Sequence, residues 1–382
     1  KVGFYICSNF SKQIMAFGLF KKKKKNKNND SRYFDLKIKE VVNVAKDAVN
    51  VVFENPGSSF QYEPGQFITI IDTVNGEKLR RAYSLCTTPF LDSNPAVTVK
   101  RVPDGRMSNH INDDFKAGDV VQVMEPMGKF TTTYDNDTVR KAIFFGGGSG
   151  ITPLFSIMRS VLIKESFSKV VLVYGNRSEE YVVFRDELNK LSEEYGGRFQ
   201  LIHILEEDPN GLTHHHGKPT TDMIGDILQE VGFGDKAEYY ICGPQPMMDV
   251  VKDGLIRADV DTDKIMMESF TAGVTSPEDL IDQPDQTPND GVASEVTILL
   301  DGEEFVVKVS EGKPILDAGL DENIDMPYSC QSGLCTACRG KCLEGDISLD
   351  GAEGLTEEEI NENYRLLCVG KALTDKVKVE IC

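Results

Sequence analysis

The spacing of apolar residues changes twice along the chain. From 33 to 137 the period is two: Leu36 and Ile38 alternate with charged neighbours, as do Val49, Val51 and Phe53, and Phe67, Ile68 and Ile70 follow Pro64-Gly65. That is the period of half-buried strands. Asn75-Gly76 between two such runs predicts a tight hairpin. Further runs at 79–86, 97–102 and 120–124 complete a set of short strands, which predicts an antiparallel β-barrel. From 138 to 270 wholly apolar strands (141–145, 169–174, 199–205, 239–242) alternate with helical spacing at 152–164, 184–195, 221–231 and 246–258. This predicts an α/β domain with a doubly wound parallel sheet.

Residues 271–294 are rich in Thr, Pro, Asp, Gly and Ser without a period and read as a linker. In 295–382 the runs 296–300 and 304–309 flank Asp301-Gly302 as a hairpin. A helix starts within 314–319, a cysteine-rich loop follows, and 376–381 is the last strand. Residues 1–32 read as a disordered basic tail. Its apolar stretch at 13–20 precedes the lysines at 21–25, the reverse of a signal peptide. The chain begins with Lys, and Met15 is a candidate start. A short apolar patch beside lysines also suits a weak surface anchor.

Composition narrows the class. With 382 residues, 40% hydrophobic and 27% charged, the chain has the profile of a soluble protein of two to four domains. No apolar run reaches membrane-spanning length. The net charge is −19, but residues 1–30 hold eight Lys against one Asp, so the remainder stands at −26. Residues 295–382 alone carry 19 acidic and 8 basic side chains. Such a surface argues against nucleic acid and suits a basic docking partner, or serves solubility alone.

The strongest chemical signal is Cys330, Cys335 and Cys338 at C-x4-C-x2-C, with Cys368 after 29 intervening residues. That is the thiolate spacing of a plant-type [2Fe-2S] centre. Ser332, Gly333, Thr336 and Ala337 are small enough for the backbone to wrap a cluster and aim N–H groups at its sulfurs. A zinc site would pair two short hooks instead. The remaining cysteines, Cys7, Cys86, Cys242, Cys342 and Cys382, show no spacing pattern, which points to a reducing, cytoplasmic compartment.

Three further constellations suit flat rings and phosphates. Arg81, Tyr83 and Ser84 end a strand: an Arg grips a diphosphate, a Tyr stacks on a ring and a small hydroxyl reaches a ring nitrogen. An ordinary amphipathic strand reads the same way. Gly105-Arg106-Met107-Ser108 opens a short helix whose N–H groups suit phosphate. Gly146 to Gly150, Ile151, Thr152 and Pro153 join a strand to a helix, as a phosphate cradle or as a structural glycine turn; G-x-G-x-x-G is absent. Asn176, Arg177 and Ser178 close the next strand. An Arg there suits the 2′-phosphate of NADPH, whereas NAD sites use an acid. Cys242-Gly243-Pro244 ends the last long strand, and Cys242 reads as a buried residue or a border of the nicotinamide rather than a nucleophile. Thr213 to His216 reads as a solvated loop.

In combination these motifs resemble the ferredoxin–NADP+ reductase superfamily, in the order of one-chain reductases with a C-terminal plant-type ferredoxin. Leu79 to Ser84, Ile241 to Pro244 with Met247 to Asp249, and Leu355 to Glu359 are similar to the reductase subunits of phenylacetyl-CoA epoxidases. The likeness covers about 33–382, and the tail has no counterpart.

It implies a β-grasp ferredoxin domain, FAD held by Arg81 and Ser108 with Tyr83 on the ring and Ser84 near N5, and Lys100 and Val102 lining the flavin. Thr152 would sit where nicotinamide and flavin meet, and Glu268 and Phe270 close to the flavin. FMN is the alternative flavin. The implied activity passes electrons from NADPH through FAD and the [2Fe-2S] cluster to a partner oxygenase, foremost a di-iron acyl-CoA epoxidase of phenylacetate catabolism. A fatty-acid desaturase or ring hydroxylase partner, a stand-alone NADPH:acceptor reductase, and a redox-responsive binding module are the alternatives.

Overall fold

The computed structural model describes residues 32–213, 215–234, 236–270 and 294–381. The expected tail and linker therefore lie outside the described residues except at Arg32 and Ser294. From Tyr33 onward the chain forms one contact unit. Among the described residues no helix is long and apolar enough to cross a membrane.

Strands β1 (Tyr33–Ala45), β2 (Ala48–Phe53), β3 (Phe67–Val74), β4 (Glu77–Ser84), β5 (Ala96–Lys100) and β6 (Val120–Met124) form an antiparallel sheet in the order β4-β3-β6-β1-β2-β5. Helix α1 (Arg106–Asp114) lies between β5 and β6. The sheet closes on itself through a bridge from Leu85 to Val97 and the bond from Cys86 N–H to the Ala96 carbonyl, 2.9 Å. The alternating residues noted above fill its interior: Leu36, Ile38, Val51, Phe53, Ile68 and Ile70 are all at most 1% exposed. Asn75 and Gly76 both adopt positive φ, 52° and 82°, as a two-residue hairpin turn requires.

The parallel sheet runs β10-β9-β8-β7-β11-β12. Its strands are β7 (Lys141–Gly147), β8 (Lys169–Asn176), β9 (Phe199–Leu205), β10 (His215–His216), β11 (Ala237–Cys242) and β12 (Ile265–Glu268). Helices α2 (Ile151–Lys164), α3 (Arg185–Tyr195), α4 (Thr221–Val231) and α5 (Gln245–Arg257) connect them. Strand order reverses between β7 and β11, so a ligand crevice opens at the carboxyl ends of those two strands. The histidine stretch departs from the expected loop. His215 and His216 pair with Ile204 and Leu205 as a short edge strand, because the sheet edge offers unpaired backbone groups.

The C-terminal sheet, β14-β13-β17-β15-β16, is mixed. It comprises β13 (Ser294–Leu300), β14 (Glu303–Val309), β15 (Arg339–Glu344), β16 (Tyr364–Leu366) and β17 (Lys376–Ile381). Helix α6 (Ile315–Asp321) buries Ile315, Leu316 and Ala318 in one apolar core with Val296, Ile298 and Val379, giving the α+β layering of a β-grasp domain. A small helix, α7 (Glu357–Asn361), begins with a capping box of Thr356 and Glu359.

Arg140 joins the barrel to the parallel sheet. It donates to Thr132 Oγ1 (2.8 Å), the Thr133 carbonyl (3.0 Å), Glu238 Oε2 (2.7 Å) and the carboxylate of Glu165, whose side chain is fully buried. Removing one partner of a buried ion pair strands the other charge. Arg140→Met is therefore expected to cost about 3–5 kcal/mol, read from the urea unfolding midpoint. A loss below about 1 kcal/mol, the range of surface pairs, would show that this buried network does not hold the barrel to the sheet.

Candidate functional site

At the strand-order reversal two loops press backbone to backbone. A Cβ on Gly150 would sit 2.1 Å from the Cys242 carbonyl oxygen, and one on Gly147 would meet Met247 Sδ at 2.6 Å and Pro244 Cδ at 2.7 Å. These two glycines are demanded by the chain crossing itself. Gly148 differs: its φ is +52°, and the nearest atom to an added Cβ is Lys100 Nζ at 3.6 Å. It leaves open space, a cleft of about 300 Å³. Gly147 to Ser149 line one side and Gly243 to Gln245 the other, with Ser269 and Phe270 at the end and Lys100 reaching in from the barrel.

Thr152 does not line this cleft. It is buried, and its hydroxyl donates to the Ser149 carbonyl (3.0 Å), pinning the turn. Cys242 is fully buried. Desolvation, and then the nearby Glu268, push its thiol well above the ordinary range, which makes it a poor nucleophile. Glu268 Oε2 is sealed from solvent without a hydrogen-bond partner, and desolvation raises the carboxyl to about 8. Lys100 is shifted the other way, downward, also by desolvation.

In the barrel, Arg81 pairs with Ile70 and Tyr83 with Ile68, so both lie on the Ile68/Ile70 face, while Ser84 pairs with Phe67 on the other. Burial raises the Tyr83 phenol against the lowering effect of Arg81. The Gly105 to Ser108 turn is partly occupied by its own contacts. Ser108 Oγ accepts from Val102 N–H (3.2 Å) and donates to the Gly105 carbonyl (3.3 Å), and Met107 is buried in the barrel core. Arg106 crosses to the hairpin, donating to Glu77 Oε2 (2.7 Å) and the Val74 carbonyl (3.2 Å). The Arg106 and Met107 side chains thus brace α1 against the barrel. The helix start itself has no side-chain cap and no acid in its first turn, a suitable seat for phosphate. Val102 is 56% exposed.

At the end of β8, Asn176 is buried with neither amide atom partnered. Arg177 is exposed, with Nε on Glu207 Oε1 at 3.2 Å, and Ser178 is half-buried beside it. The ring of Tyr181 gathers Lys46 (5.0 Å), Lys100 (5.2 Å) and Arg177 (5.9 Å). Lys46 and Tyr181 carry no motif in the sequence, and only the folded chain brings them to Arg177.

The four cysteines come together between α6, β15 and β16. Cys330 is in hydrogen-bonding contact with Cys335 and Cys368, and Cys368 with Cys338. These shared bonds pull Cys330 down and push Cys335 and Cys368 up, as expected of thiols sharing protons around one centre. Ser332 N–H points at Cys330 Sγ (3.5 Å) and Ala337 N–H at Cys335. Ser332 Oγ is buried and unpartnered. A Cβ on Gly333 would lie 1.9 Å from the Gly351 carbonyl oxygen, so this glycine lets the two loops close. Among the described residues no three metal-binding side chains converge on one point.

Three domain models match in order: an oxidoreductase FAD-binding domain over 34–132, an oxidoreductase NAD-binding domain over 144–253, and a 2Fe-2S iron-sulfur cluster binding domain over 298–373. The ferredoxin reductase component of 3-ketosteroid-9-alpha-monooxygenase from Rhodococcus rhodochrous is 35% identical over 92% of this chain and 97% of its own. The chain belongs to the ferredoxin–NADP+ reductase superfamily, in the branch with a C-terminal [2Fe-2S] ferredoxin. It is an oxidoreductase that uses FAD, NAD(P)H and a [2Fe-2S] cluster. A component of the 1,2-phenylacetyl-CoA epoxidase of Escherichia coli is 30% identical over 91% of this chain and 97% of its own. Phthalate dioxygenase reductase shares the fold, with a TM-score of 0.56 at 24% identity, covering 91% of this chain and 98% of that one. The unpartnered atoms of Asn176, Glu268 and Ser332, and the room beside Gly148, fit these groups.

Two expectations follow. Gly150→Ala should cost about 3 kcal/mol by overpacking, whereas Gly148→Ala should cost about 1 kcal/mol and weaken NADPH binding. Urea unfolding and dinucleotide titration separate them, and equal costs would contradict the distinction. Glu268 has a folded pKa above its unfolded value of 4.5, so its contribution is full below 4.5 and is lost as pH rises to about 8. The loss approaches about 1.4 kcal/mol per pH unit inside that window. Glu268→Gln should flatten this part of the stability–pH curve. Parallel curves for the two proteins would mean the carboxyl is ionised when folded.

Proposed function

We propose that this chain is the NADPH-oxidising reductase component of an oxygenase system, carrying electrons through its flavin and out by its cluster. The observation that supports this best is the position of the barrel. Lys100 on β5 lines the nucleotide cleft, while Phe67, Ile71 and Met124 share an apolar cluster with Cys335 and Ala337 of the cysteine loop. When bound, the three groups would supply hydride donation, acceptance and storage of the electron pair, and single-electron release.

The roles of the chain's own residues follow from chemistry and placement. Arg81 and the start of α1 suit the flavin diphosphate, Tyr83 the ring face, and Ser84 the ring edge nearest the cysteine loop. Gly148, Gly243 and Pro244 shape the nicotinamide seat, with Phe270 at its end and Glu268 behind it. Asn176, Arg177 and Ser178 suit the ribose phosphate of NADPH. Cys330, Cys335, Cys338 and Cys368 would ligate the irons. A reducing, cytoplasmic setting belongs to this reading, because the cysteines outside the cluster set show no disulfide spacing.

The acceptor on this reading is an oxygenase component. Likeness to the 1,2-phenylacetyl-CoA epoxidase component supports an acyl-CoA epoxidase as that acceptor. The higher identity to the 3-ketosteroid-9-alpha-monooxygenase component supports a steroid hydroxylase as the second reading. Cys335→Ser should abolish cytochrome c reduction while leaving NADPH oxidation by two-electron acceptors, and joint loss in a folded protein would reject the cluster as the exit. Arg177→Ala should raise KM for NADPH about tenfold, the worth of one charge-assisted contact, with KM for NADH little changed. An equal effect on both dinucleotides would reject the phosphate role.

A further inference from the structure

Arg80 is 2% exposed, among the largest fully buried side chains, and it stands beside the flavin-motif residue Arg81. Neighbours on a strand point to opposite faces. Arg81 lies on the Ile70 face and Arg80 on the Ile71 face, where the ferredoxin domain sits. Arg80 Nη2 donates to Asp325 Oδ1 at 2.7 Å and Nη1 to the Tyr33 hydroxyl at 3.4 Å. Its guanidinium lies over the rings of Tyr33 (5.8 Å) and Tyr328 (5.6 Å). Lys78, two residues earlier on the same face, reaches the other oxygen of Asp325 at 2.6 Å. Thr69 donates to Ser329 Oγ at 2.8 Å in a buried contact. The barrel therefore grips residues 325–329, the segment that leads directly into Cys330.

We propose that Arg80 is a positioning residue for electron transfer between flavin and cluster, holding the run-in to the cysteine loop against the back of the strand that carries the flavin motif. This rests on the electron path proposed above. The transfer moves one electron: the flavin loses it, one cluster iron gains it, and NADPH replaces electrons two at a time. A planar guanidinium bonded at its edge and in contact with two rings fixes orientation as well as proximity. Apolar contact alone, through Phe67, Ile71 and Met124, would tolerate sliding. Burying an unpaired guanidinium is costly, so loss of Asp325 should loosen the same contact from the other side.

The test uses the full-length holoprotein, anaerobic rapid mixing with NADPH, and separate recording of flavin and cluster absorbance in Arg80→Met and Asp325→Asn. Asp325 is 63% exposed, so its variant keeps the test alive should Arg80→Met fail to fold. The expected result is unchanged flavin reduction, cluster reduction slowed about tenfold, and an unchanged cluster electron paramagnetic resonance spectrum. Hydrogen exchange in peptides covering 325–338 and 67–71 should quicken in both variants, and Arg80→Lys should recover part of the rate. Parental cluster-reduction rates in both variants would overturn the proposal. Slowed reduction with parental exchange, or with an altered cluster spectrum, would also overturn it. If the unmodified protein does not reduce its cluster on NADPH, the electron path itself fails, whatever the variants do.

Discussion

The alternation of side chains along β3 and β4 is the constraint on which the rest of the molecule depends. One face of this hairpin, with Ile68, Ile70 and Leu79, closes the barrel core, and Arg81 and Tyr83 share it. The other, with Phe67, Thr69, Ile71 and Arg80, meets the ferredoxin domain. A one-residue slip would exchange these faces. The Asn75-Gly76 turn sets the register that prevents it.

The two contacts the barrel makes with its neighbours differ in kind. Toward the nucleotide domain it is tied by a bidentate pair from Arg159 to Asp92 (2.7 and 3.0 Å) and by bonds from Ser156 to the Thr87 carbonyl and from Ser160 to Thr88 Oγ1 (2.7 Å). All of these spring from one face of α2 and meet one loop, so the helix and the barrel behave as a single piece. Toward the ferredoxin domain the contact is a small apolar patch framed by Lys78, Arg80 and Lys129, the last reaching the Gly354 carbonyl. Charged frames of this kind favour one orientation more than they add stability.

Periodicity carried most of the architecture. The barrel strands, the hairpin, the parallel strands and helices α2 to α5 announce themselves because each is long or strongly patterned. Strand β12 was missed: four residues beside a linker-like stretch leave no period to read, and its place is dictated by pairing with β11. The cysteine spacing was legible because ligand geometry forces it into one loop. The side-chain partners of Arg106 and Met107 were not legible: Arg106 reaches Glu77 and the Val74 carbonyl across the barrel and Met107 enters its core, contacts that are not local in sequence. Arg80 was invisible for a similar reason. Alternation says it opposes Arg81, but nothing nearby in the chain says what covers it.

The sealed carboxyl of Glu268 also shapes the electric field of the cleft. A group that keeps its proton near neutrality adds no negative charge behind the proposed dinucleotide seat, while Lys100 reaches into it from the barrel. In a chain whose net charge is −19, this pairing lowers the repulsion that an anionic coenzyme would meet at the proposed nicotinamide seat. An anionic coenzyme can thus dock on a strongly acidic protein, drawn by a short-range field against a long-range one.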